Sequence, residues 1–146
     1  MKIVIQRVDS ASILIDSKIK RDISKGIVVY FGISKTDTVE LIDYFVNKII
    51  TLRLWSEANK GLQKNINDIK GDILIVSQFT LYGDCTKGTK PKFNDAMNPI
   101  EAKEIYDLFV SKLRSKCDLK IETGEFGTMM EITQVNNGPM TMIIEK

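Results

Sequence analysis

The alternation of apolar and polar residues predicts a chain built mainly from β-strands. Residues 2–8 alternate and are rich in β-branched side chains, which is typical of a first strand. Short strands are expected over 12–16 and 17–22, around an Asp-Ser turn, and a buried strand is expected over 27–33. Residues 73–76 form an unbroken apolar run, which predicts a strand buried on both faces.

Two helices separate these strands. Apolar residues at helical spacing predict the first over 37–54, and Asp37 with Glu40 forms a capping-box pair at its start. The second begins after Asn98, which is followed by a proline and then by Glu101, the pattern of a capped helix start. The positions expected to be buried are Val39, Ile42, Phe45, Val46 and Ile49 in the first helix and Ile105, Leu108, Phe109 and Leu113 in the second.

The remaining segments complete a single domain. Residues 55–68 are polar and predict a loop, whereas 119–122, 130–135 and 140–144 predict short strands. No repeat or low-complexity segment divides the chain. The sequence therefore predicts one mixed α/β domain over residues 1–146, with largely antiparallel sheets and two main helices.

Composition places the chain among soluble globular proteins. Its 146 residues are 43% hydrophobic and 27% charged, and 21 basic residues against 19 acidic ones give a net charge of +2. That balance does not by itself indicate a nucleic-acid partner. No apolar run reaches the roughly 18 residues of a membrane span, and the start of the chain turns polar too early for a signal peptide. We therefore expect a cytoplasmic protein without a membrane partner.

The absence of histidine narrows the possible chemistry. With 0 histidines, Ser-His-Asp catalysis, Cys-His catalysis and most zinc sites are excluded. Cys85 and Cys117 stand in unrelated contexts, so neither a disulfide framework nor a cysteine metal cluster is expected. The sequence predicts no metal and no cofactor. Any catalysis must use carboxylates, lysines, hydroxyls, backbone dipoles or groups that the substrate brings.

Polar side chains end the buried strand at 73–76 without an ordinary turn signal. Ser77, Gln78 and Thr80 bring three hydrogen-bonding groups to the edge of the core, where an unpartnered group costs about 1–3 kcal/mol. They either satisfy one another and a neighbouring strand, or they line a pocket for a substrate. Ser77, Gln78, Phe79 and Thr80 together are the first candidate site.

Three further features have alternative interpretations. Lys87, Lys90 and Lys92 lie in a loop with glycine and proline, and they could meet phosphates or face water. Phe126, in a glycine-bounded loop, could stack on a base or fill the core. Arg7 could be a surface cation, or it could hold a carbonyl or a carboxylate at the edge of the core.

The segment Asn136-Asn137-Gly138-Pro139 joins the last two predicted strands. An Asn-Gly pair usually makes a tight hairpin turn, but the proline directly after the glycine changes this interpretation. Pro139 donates no hydrogen bond, and its tertiary amide makes a cis Gly138–Pro139 bond possible. Two carbonyls that point the same way across such a bond would suit an ammonium group.

With these segments located, the chain resembles the D-aminoacyl-tRNA deacylases along nearly its whole length. The pair Ser-Gln-x-Thr and Asn-x-Gly-Pro-x-Thr, in this order and spacing, is highly specific for that family. The matching motifs are Ile5-Gln6-Arg7-Val8, Ser77-Gln78-Phe79-Thr80-Leu81-Tyr82, Lys87-Gly88 with Pro91, Glu122-Thr123-Gly124, Phe126-Gly127 and Asn136-x-Gly138-Pro139-x-Thr141. The chain departs from the usual pattern at Met140, at Gly83 and Cys85, and in part of the lysine loop.

The resemblance implies hydrolysis of the ester between a D-amino acid, or mischarged glycine, and the 3′-terminal adenosine of tRNA. It implies a homodimer with active sites at the subunit interface, where residues 77–80 form the pocket wall. A cis Gly138–Pro139 bond would enter the partner's pocket, hold the substrate's amino group and reject L-amino acids by clash. Arg7 would brace that loop, and Phe126 would sit at the terminal adenine. The remaining implied contacts are Asn136 with the substrate and Lys87, Lys90 and Lys92 with the acceptor-stem phosphates.

No side chain in these motifs is an evident strong base. The expected mechanism therefore uses the backbone N–H groups of Phe79 and Thr80 as an oxyanion hole, while the 2′-hydroxyl of the adenosine activates water. The rival mechanism makes Thr80 a nucleophile. Two other functions remain open: editing of a different, L-aminoacyl-tRNA on the same fold, and a non-catalytic tRNA-binding module.

Overall fold

The main sheet is organised around its first strand. The computed structural model describes residues 1–146, apart from the side chain of Pro139. Across the described residues the strands are β1 (Lys2–Ile15), β2 (Ile19–Ile23), β3 (Gly26–Gly32), β4 (Trp55–Glu57), β5 (Gly61–Lys64), β6 (Asp72–Ser77), β7 (Ile121–Thr123) and β8 (Met130–Glu145). The helices in the same residues are α1 (Ile42–Thr51) and α2 (Pro99–Lys116), and short 3-10 turns cover Val39–Leu41 and Phe79–Tyr82.

Strand β1 pairs antiparallel with three neighbours. Its amino-terminal half pairs with β3, its carboxyl-terminal half with β2, and β8 follows its other edge. Strands β3, β6 and β7 continue the sheet as parallel neighbours, and β4 and β5 form a separate antiparallel hairpin. The predicted mixed α/β class, with largely antiparallel sheets and two main helices, is confirmed.

The first strand is longer than the sequence predicts. A separate strand over 12–16 is expected, but β1 continues to Ile15, and the chain turns only at Asp16 and Ser17. These two residues adopt left-handed φ values of 46° and 57°. Buried and less buried residues keep alternating at 11–15 while the neighbour changes from β3 to β2, so the sequence contains no signal of the change.

The expected loop over 55–68 is wrong for residues 55–64. Strands β4 and β5 form a hairpin there, and Asn59 and Gly61 support the turn with φ values of 62° and 68°. Trp55, which is 6% exposed, anchors the hairpin in the core. Strands of 3 and 4 residues are too short for an alternating pattern to be recognised in the sequence.

Helix α1 begins later than predicted. Its first residue is Ile42, and a 3-10 turn precedes it. The carboxylate of Asp37 does not cap the helix, because it accepts hydrogen bonds from the Ser34 backbone N–H at 2.7 Å and from the Met1 ammonium at 2.6 Å. Val39, expected in the buried stripe, is 47% exposed.

Helix α2 begins as predicted. The Asn98 side chain accepts a hydrogen bond from the Glu101 backbone N–H at 3.1 Å. The other apolar positions expected to be buried in the two helices are buried, except Leu108, which is 39% exposed. Within the described part of the chain, neither helix is long and apolar enough to cross a membrane.

Both helices pack on one face of the main sheet. Phe31 of β3 stacks on Phe109 of α2 with ring centroids 4.2 Å apart, and it meets Phe45 of α1 edge-on at 6.4 Å. A second cluster covers the opposite face and includes Leu74 and Val76 of β6. Strand β6 is therefore buried on both faces, as its apolar run predicts.

Candidate functional site

The first candidate segment follows the buried strand β6. The Gln78 backbone N–H donates to the Phe31 carbonyl at 2.8 Å, which holds the end of β6 against β3. A Cβ on Gly32 would stand 3.0 Å from the Gln78 carbonyl oxygen, so the glycine permits this close approach. The chain then enters the 3-10 turn that begins at Phe79.

Two backbone N–H groups at the start of this turn could bind an anion. The hydrogen bonds of the turn begin later, with Leu81 N–H donating to the Gln78 carbonyl at 3.2 Å and Gly83 N–H to the Thr80 carbonyl at 2.9 Å. The first N–H groups of a helical turn have no partner inside it, and among the described residues none is found for those of Phe79 and Thr80. Both groups are available to an anion or to a developing oxyanion.

The side chains of this segment are only partly enclosed. Ser77 and Gln78 are half-buried, and the Gln78 amide Nε2 donates to the Thr80 hydroxyl oxygen. Phe79 is 58% exposed, and its ring contacts that of Phe93 with centroids 5.0 Å apart. The Thr80 hydroxyl therefore faces an amide donor, which is not a general base.

The second candidate segment is a bulge in the edge strand β8. The ladder with β1 is regular up to the pair Gln6–Thr141 and again from the pair Ser10–Val135. Between these pairs, residues 137–140 together oppose only Arg7, and a second register shift leaves Asp9 without a partner in β8. The strands predicted over 130–135 and 140–144 are therefore one strand, β8, which the bulge interrupts. The expectation of two separate strands is wrong because both halves find the same neighbour, and only tertiary pairing reveals this.

Glycine is required at position 138. A Cβ there would stand 2.2 Å from the backbone nitrogen of Met140, so no larger residue fits without a shift of the backbone. The predictions made for Pro139, including the cis state of the Gly138–Pro139 bond, concern a residue outside those described.

Arg7 joins the bulge to the body of the protein. Its Nε donates to the Asn137 carbonyl at 2.9 Å, and a terminal nitrogen of the guanidinium donates to the Leu54 carbonyl. The Asn137 side chain donates to the Asp9 carboxylate at 2.7 Å, which holds the bulge a second time. The structure thus places Arg7 next to the residue before Gly138, and its role in substrate binding stays a prediction.

A network of polar side chains beside the bulge is not predicted from the sequence. Gln134 Nε2 donates to Asn136 Oδ1 at 2.9 Å and also to Gln6 Oε1. The Tyr30 hydroxyl donates to Gln134 Oε1 at 3.1 Å, and partial burial raises the pKa of that phenol. Asn136 therefore belongs to a network that three strands build together. The two-residue spacing of Gln134 and Asn136 along β8 was the available signal, because it places both side chains on one face.

Phe126 lies in the loop after β7. The Gly124 N–H donates to the Ile75 carbonyl at 2.8 Å, so this loop leaves the sheet at the same end as β6. The Phe126 ring is half-buried and packs on Tyr106 of α2, with centroids 5.8 Å apart. The core-filling interpretation therefore holds in part, because one side of the ring joins the core and the rest lines a cavity against α2, while stacking on a base stays a prediction.

A pair of backbone hydrogen bonds between Asp84 and Lys92 closes the lysine loop. The Asp84 N–H donates to the Lys92 carbonyl at 2.7 Å, and the Lys92 N–H donates to the Asp84 carbonyl at 3.0 Å. The Asp84 carboxylate accepts hydrogen bonds from the hydroxyl and the backbone N–H of Thr86 at 2.7 and 2.9 Å, and these bonds lower the pKa of the carboxyl. Lys87, Lys90 and Lys92 are all exposed, so the closed loop carries three accessible ammonium groups.

The two candidate segments lie apart within one chain. Ser77 pairs with Phe31 of β3, which pairs with Ile3 of β1. The bulge lies one strand beyond β1 and opposes Arg7, four residues after Ile3. With strands about 4.8 Å apart and a rise of about 3.3 Å per residue, the separation is on the order of 20 Å along the sheet. The described residues of one chain therefore do not bring both segments into one pocket.

The groups gathered at the first segment are donors rather than bases. They are backbone N–H groups, an amide and a hydroxyl, with the exposed ammonium groups of the lysine loop further along the chain. In the described part of the chain, no group of three or more histidine, cysteine, aspartate or glutamate side chains could hold a metal ion. The arrangement can stabilise a developing negative charge, and the described partner of the Thr80 hydroxyl is an amide donor rather than a general base.

The chain matches known proteins over almost its whole length. The family model described as D-Tyr-tRNA(Tyr) deacylase matches residues 4–145. Relatives named D-aminoacyl-tRNA deacylase from Thermosipho melanesiensis and Aquifex aeolicus are each 45% identical over 145 residues, which cover 99% of this chain and 97% of the relative. A solved structure described as c-Myc DNA Unwinding Element Binding Protein is 38% identical, with a TM-score of 0.93 over 100% of this chain and 99% of that one. A structure of a probable eukaryotic D-amino acid tRNA deacylase, 17% identical with a TM-score of 0.85, covers 98% of this chain and 97% of its own and shows the same fold.

Proposed function

The chain belongs to the D-Tyr-tRNA(Tyr) deacylase family, and we propose that it hydrolyses the ester joining a D-amino acid, or mischarged glycine, to the 3′-terminal adenosine of tRNA. Membership of this family makes the chain a hydrolase that acts on the aminoacyl-tRNA ester. We place the activity in the cytoplasm, where aminoacyl-tRNA is consumed.

The observation that carries the proposal is the pair of free backbone N–H groups after β6. Hydrolysis of an ester passes through a tetrahedral intermediate whose oxygen bears a negative charge. The N–H groups of Phe79 and Thr80 have no partner among the described residues, and the bond from Gln78 to Phe31 fixes their position. One such preorganised donor can lower the barrier by about 2.7–4 kcal/mol.

The attacking water needs a base, and we assign that role to the substrate. The chain has 0 histidines, and the Thr80 hydroxyl accepts a hydrogen bond from the Gln78 amide. The 2′-hydroxyl of the terminal adenosine lies next to the ester in any aminoacyl-tRNA, so it can orient and activate water without help from a side chain. The rival mechanism, with Thr80 as nucleophile, requires a base that its amide neighbour does not supply.

Replacing the Thr80 hydroxyl separates these mechanisms. We expect Thr80→Ala to keep deacylation of D-tyrosyl-tRNA near the wild-type rate, because the backbone N–H groups remain. The matched control is Thr51→Ala, since Thr51 is exposed on α1 and bonds only to its own helix through Asn47. Complete loss of activity in a folded Thr80→Ala variant, with the control active, would establish the nucleophile instead.

We propose that the selection against L-amino acids comes from a second copy of the chain. The Gly138–Pro139 segment of the partner would enter the pocket formed by residues 77–80, and its carbonyls would hold the substrate's α-amino group. An L-side chain held by the same contacts would collide with this backbone. The separation on the order of 20 Å between the two segments of one chain supports a partner.

The edge of the sheet also supports a dimer. Strand β8 has 16 residues, and in the described chain its outer edge has no neighbouring strand. Val135 and Ile143 on β8 are 54% and 69% exposed. A long edge strand with exposed apolar side chains is usually covered by another element or another chain.

Matched D- and L-tyrosyl-tRNA test the proposed selectivity. We expect rapid loss of the D-ester and little loss of the L-ester, and sedimentation should show a dimer at the assay concentration. Preferential cleavage of the L-ester would favour editing of a different mischarged tRNA on the same fold. A fully active monomer would contradict the shared site.

The remaining contacts are proposed from the same family. Phe126 would contact the terminal adenine with the accessible part of its ring, and Asn136 would help to position the substrate. Lys87, Lys90 and Lys92 would meet the acceptor-stem phosphates, which their exposure on a closed loop supports.

One observation favours a non-catalytic nucleic-acid-binding module as a second candidate. The solved structure with 38% identity is described as a protein that binds a DNA unwinding element. Tight binding of tRNA or single-stranded DNA without turnover of D-tyrosyl-tRNA would support this candidate. Turnover that depends on the ester's configuration would rule it out as the main function.

A further inference from the structure

A cavity of about 560 Å³ lies between α2 and the segment 123–126. Its volume falls within the range of about 300–1,000 Å³ that is usual for sites of small ligands. Apart from Phe126, the residues that line it take no part in the deacylase site proposed above. The cavity is therefore a candidate site separate from the proposed ester site.

Two arginines of this cavity have only neutral partners. A terminal nitrogen of Arg21 donates to the carbonyl and, at 3.2 Å, to the hydroxyl of Thr123. Arg114 donates to the Ile121 carbonyl at 3.3 Å. Among the described residues, the two guanidinium groups thus donate only to uncharged oxygens. Their positive charge and their remaining N–H donors suit an anion such as a phosphate.

The charges of the other residues that line the cavity favour an anion with a single negative charge. Lys103 also faces the cavity, but it pairs with Asp107 at 2.6 Å, and Glu125 adds a second carboxylate. Three cations against two carboxylates leave an excess of one positive charge. A phosphodiester, with a single negative charge, matches this balance better than a polyphosphate does.

Aromatic rings complete the wall beside the arginines. Tyr106 and Phe126 line the cavity next to each other, with centroids 5.8 Å apart. The Tyr106 hydroxyl donates to the Ile75 carbonyl at 3.2 Å, and the Gly124 N–H donates to the same carbonyl. Ile75 lies two residues before Ser77, so the cavity adjoins the end of β6 where the proposed ester site begins.

We propose that this cavity binds the phosphodiester that joins the terminal adenosine of tRNA to the preceding nucleotide, with Arg114 and Arg21 as its phosphate ligands. The inference rests on the proposed function, because that function places the terminal adenosine at Phe126. It adds a second anchor on the RNA strand, separate from the lysine loop, and this anchor fixes the direction in which the strand leaves the site.

Two substrates that differ only in the RNA test the proposal. D-tyrosyl-tRNA contains the phosphodiester, whereas D-tyrosyl-adenosine has the same ester and no phosphate. We expect Arg114→Gln to raise KM for the tRNA ester about ten-fold, the loss typical of one charge-assisted hydrogen bond, and to leave hydrolysis of the adenosine ester unchanged. The dependence of log kcat/KM on log salt should weaken by about 0.7, the value for one phosphate contact on a single strand.

A second variant and a control guard against effects on folding. Ser111 is exposed and lines the cavity, so Ser111→Glu adds a carboxylate that should repel the phosphate without removing a described bond. Lys116→Gln removes a charge from the exposed end of the same helix, away from the cavity lining, and should leave both substrates unaffected. Thermal unfolding of each variant checks the fold.

The outcomes separate this inference from the proposed function. Equal losses on both esters, or no loss on either, for Arg114→Gln and Ser111→Glu would overturn the phosphate site while leaving the deacylase intact. A wild-type chain that cleaves neither ester would overturn the proposed function and the inference with it. A loss confined to the tRNA ester in both variants, with an unaffected control, supports the inference.

Discussion

Arg7 links three distant parts of the chain, and its removal should affect the bulge of β8 more than the rest of the fold. The guanidinium donates to the carbonyls of Asn137 and Leu54, which otherwise lie on separate segments. A hydrogen bond from a charged donor contributes about 1.5–3 kcal/mol. Because Arg7 is only half-buried, water can replace part of this contribution, and we expect Arg7→Ala to lower the free energy of unfolding by about 3 kcal/mol.

Lysine at the same position tests the geometry rather than the charge. The ammonium of Arg7→Lys is a point donor and cannot serve two carbonyls in the fork arrangement of a guanidinium. We expect it to recover about half of the lost stability. Under the proposed function, deacylation of D-tyrosyl-tRNA should fall at least ten-fold in both variants at a temperature where they remain folded, because the bulge moves.

Urea unfolding followed by circular dichroism gives the stability, and initial rates of deacylation give the activity. The control is Arg53→Ala, since Arg53 is exposed and makes one hydrogen bond, to Gln63 at 3.1 Å. That substitution should change the free energy of unfolding by less than about 0.5 kcal/mol. Wild-type activity in a folded Arg7→Ala variant would refute the bracing role, and an unchanged unfolding free energy would refute the value assigned to its two hydrogen bonds.

Three other predictions follow from the described contacts. The Asp37 side chain is 7% exposed and pairs with the buried Met1 ammonium. Asp37→Asn removes this counter-charge and should lower the free energy of unfolding by about 3–5 kcal/mol, measured in urea. A loss below about 1 kcal/mol would show that water reaches the pair. Asn98→Ala should lower the unfolding free energy by about 1 kcal/mol through loss of the cap on α2, whereas Asn98→Asp should retain it. Burial raises the pKa of Tyr106, so the unfolded chain loses its phenol proton first and stability should fall as pH rises above about 10. Tyr106→Phe should reduce that slope in denaturation at pH 9 to 11, and an identical slope in both proteins would assign the effect to other groups.

The sequence predicts those elements whose signals are local. The cap of α2 depends on residues within one turn, and the burial of β6 follows from its own apolar run. The length of β1 and the continuity of β8 depend instead on which strands pair with them, and no local pattern encodes that choice. Helix α1 begins late because Asp37 bonds to the Met1 ammonium, a contact across 36 positions of sequence.

Local sequence signals likewise reveal only part of the candidate site. Polar residues at the end of a buried strand identify Ser77 to Thr80 from the sequence alone. The network of Gln6, Tyr30 and Gln134 around Asn136 could not be found in this way, because its members meet only through the register of three strands. The arginine-lined cavity was missed for a similar reason, since its walls come from β2, α2 and the loop after β7.

The pairing of β1 with β8 gives the chain an unusual order of assembly. Residue 2 pairs with residue 145, so the main sheet is incomplete until the chain has been synthesised beyond residue 145. Contacts that span so much sequence form late and slow the folding of a domain. Until β8 is available, the guanidinium of Arg7 lacks the Asn137 carbonyl and has no bulge to hold. Translation would therefore complete the scaffold first and the segment proposed to recognise the substrate last.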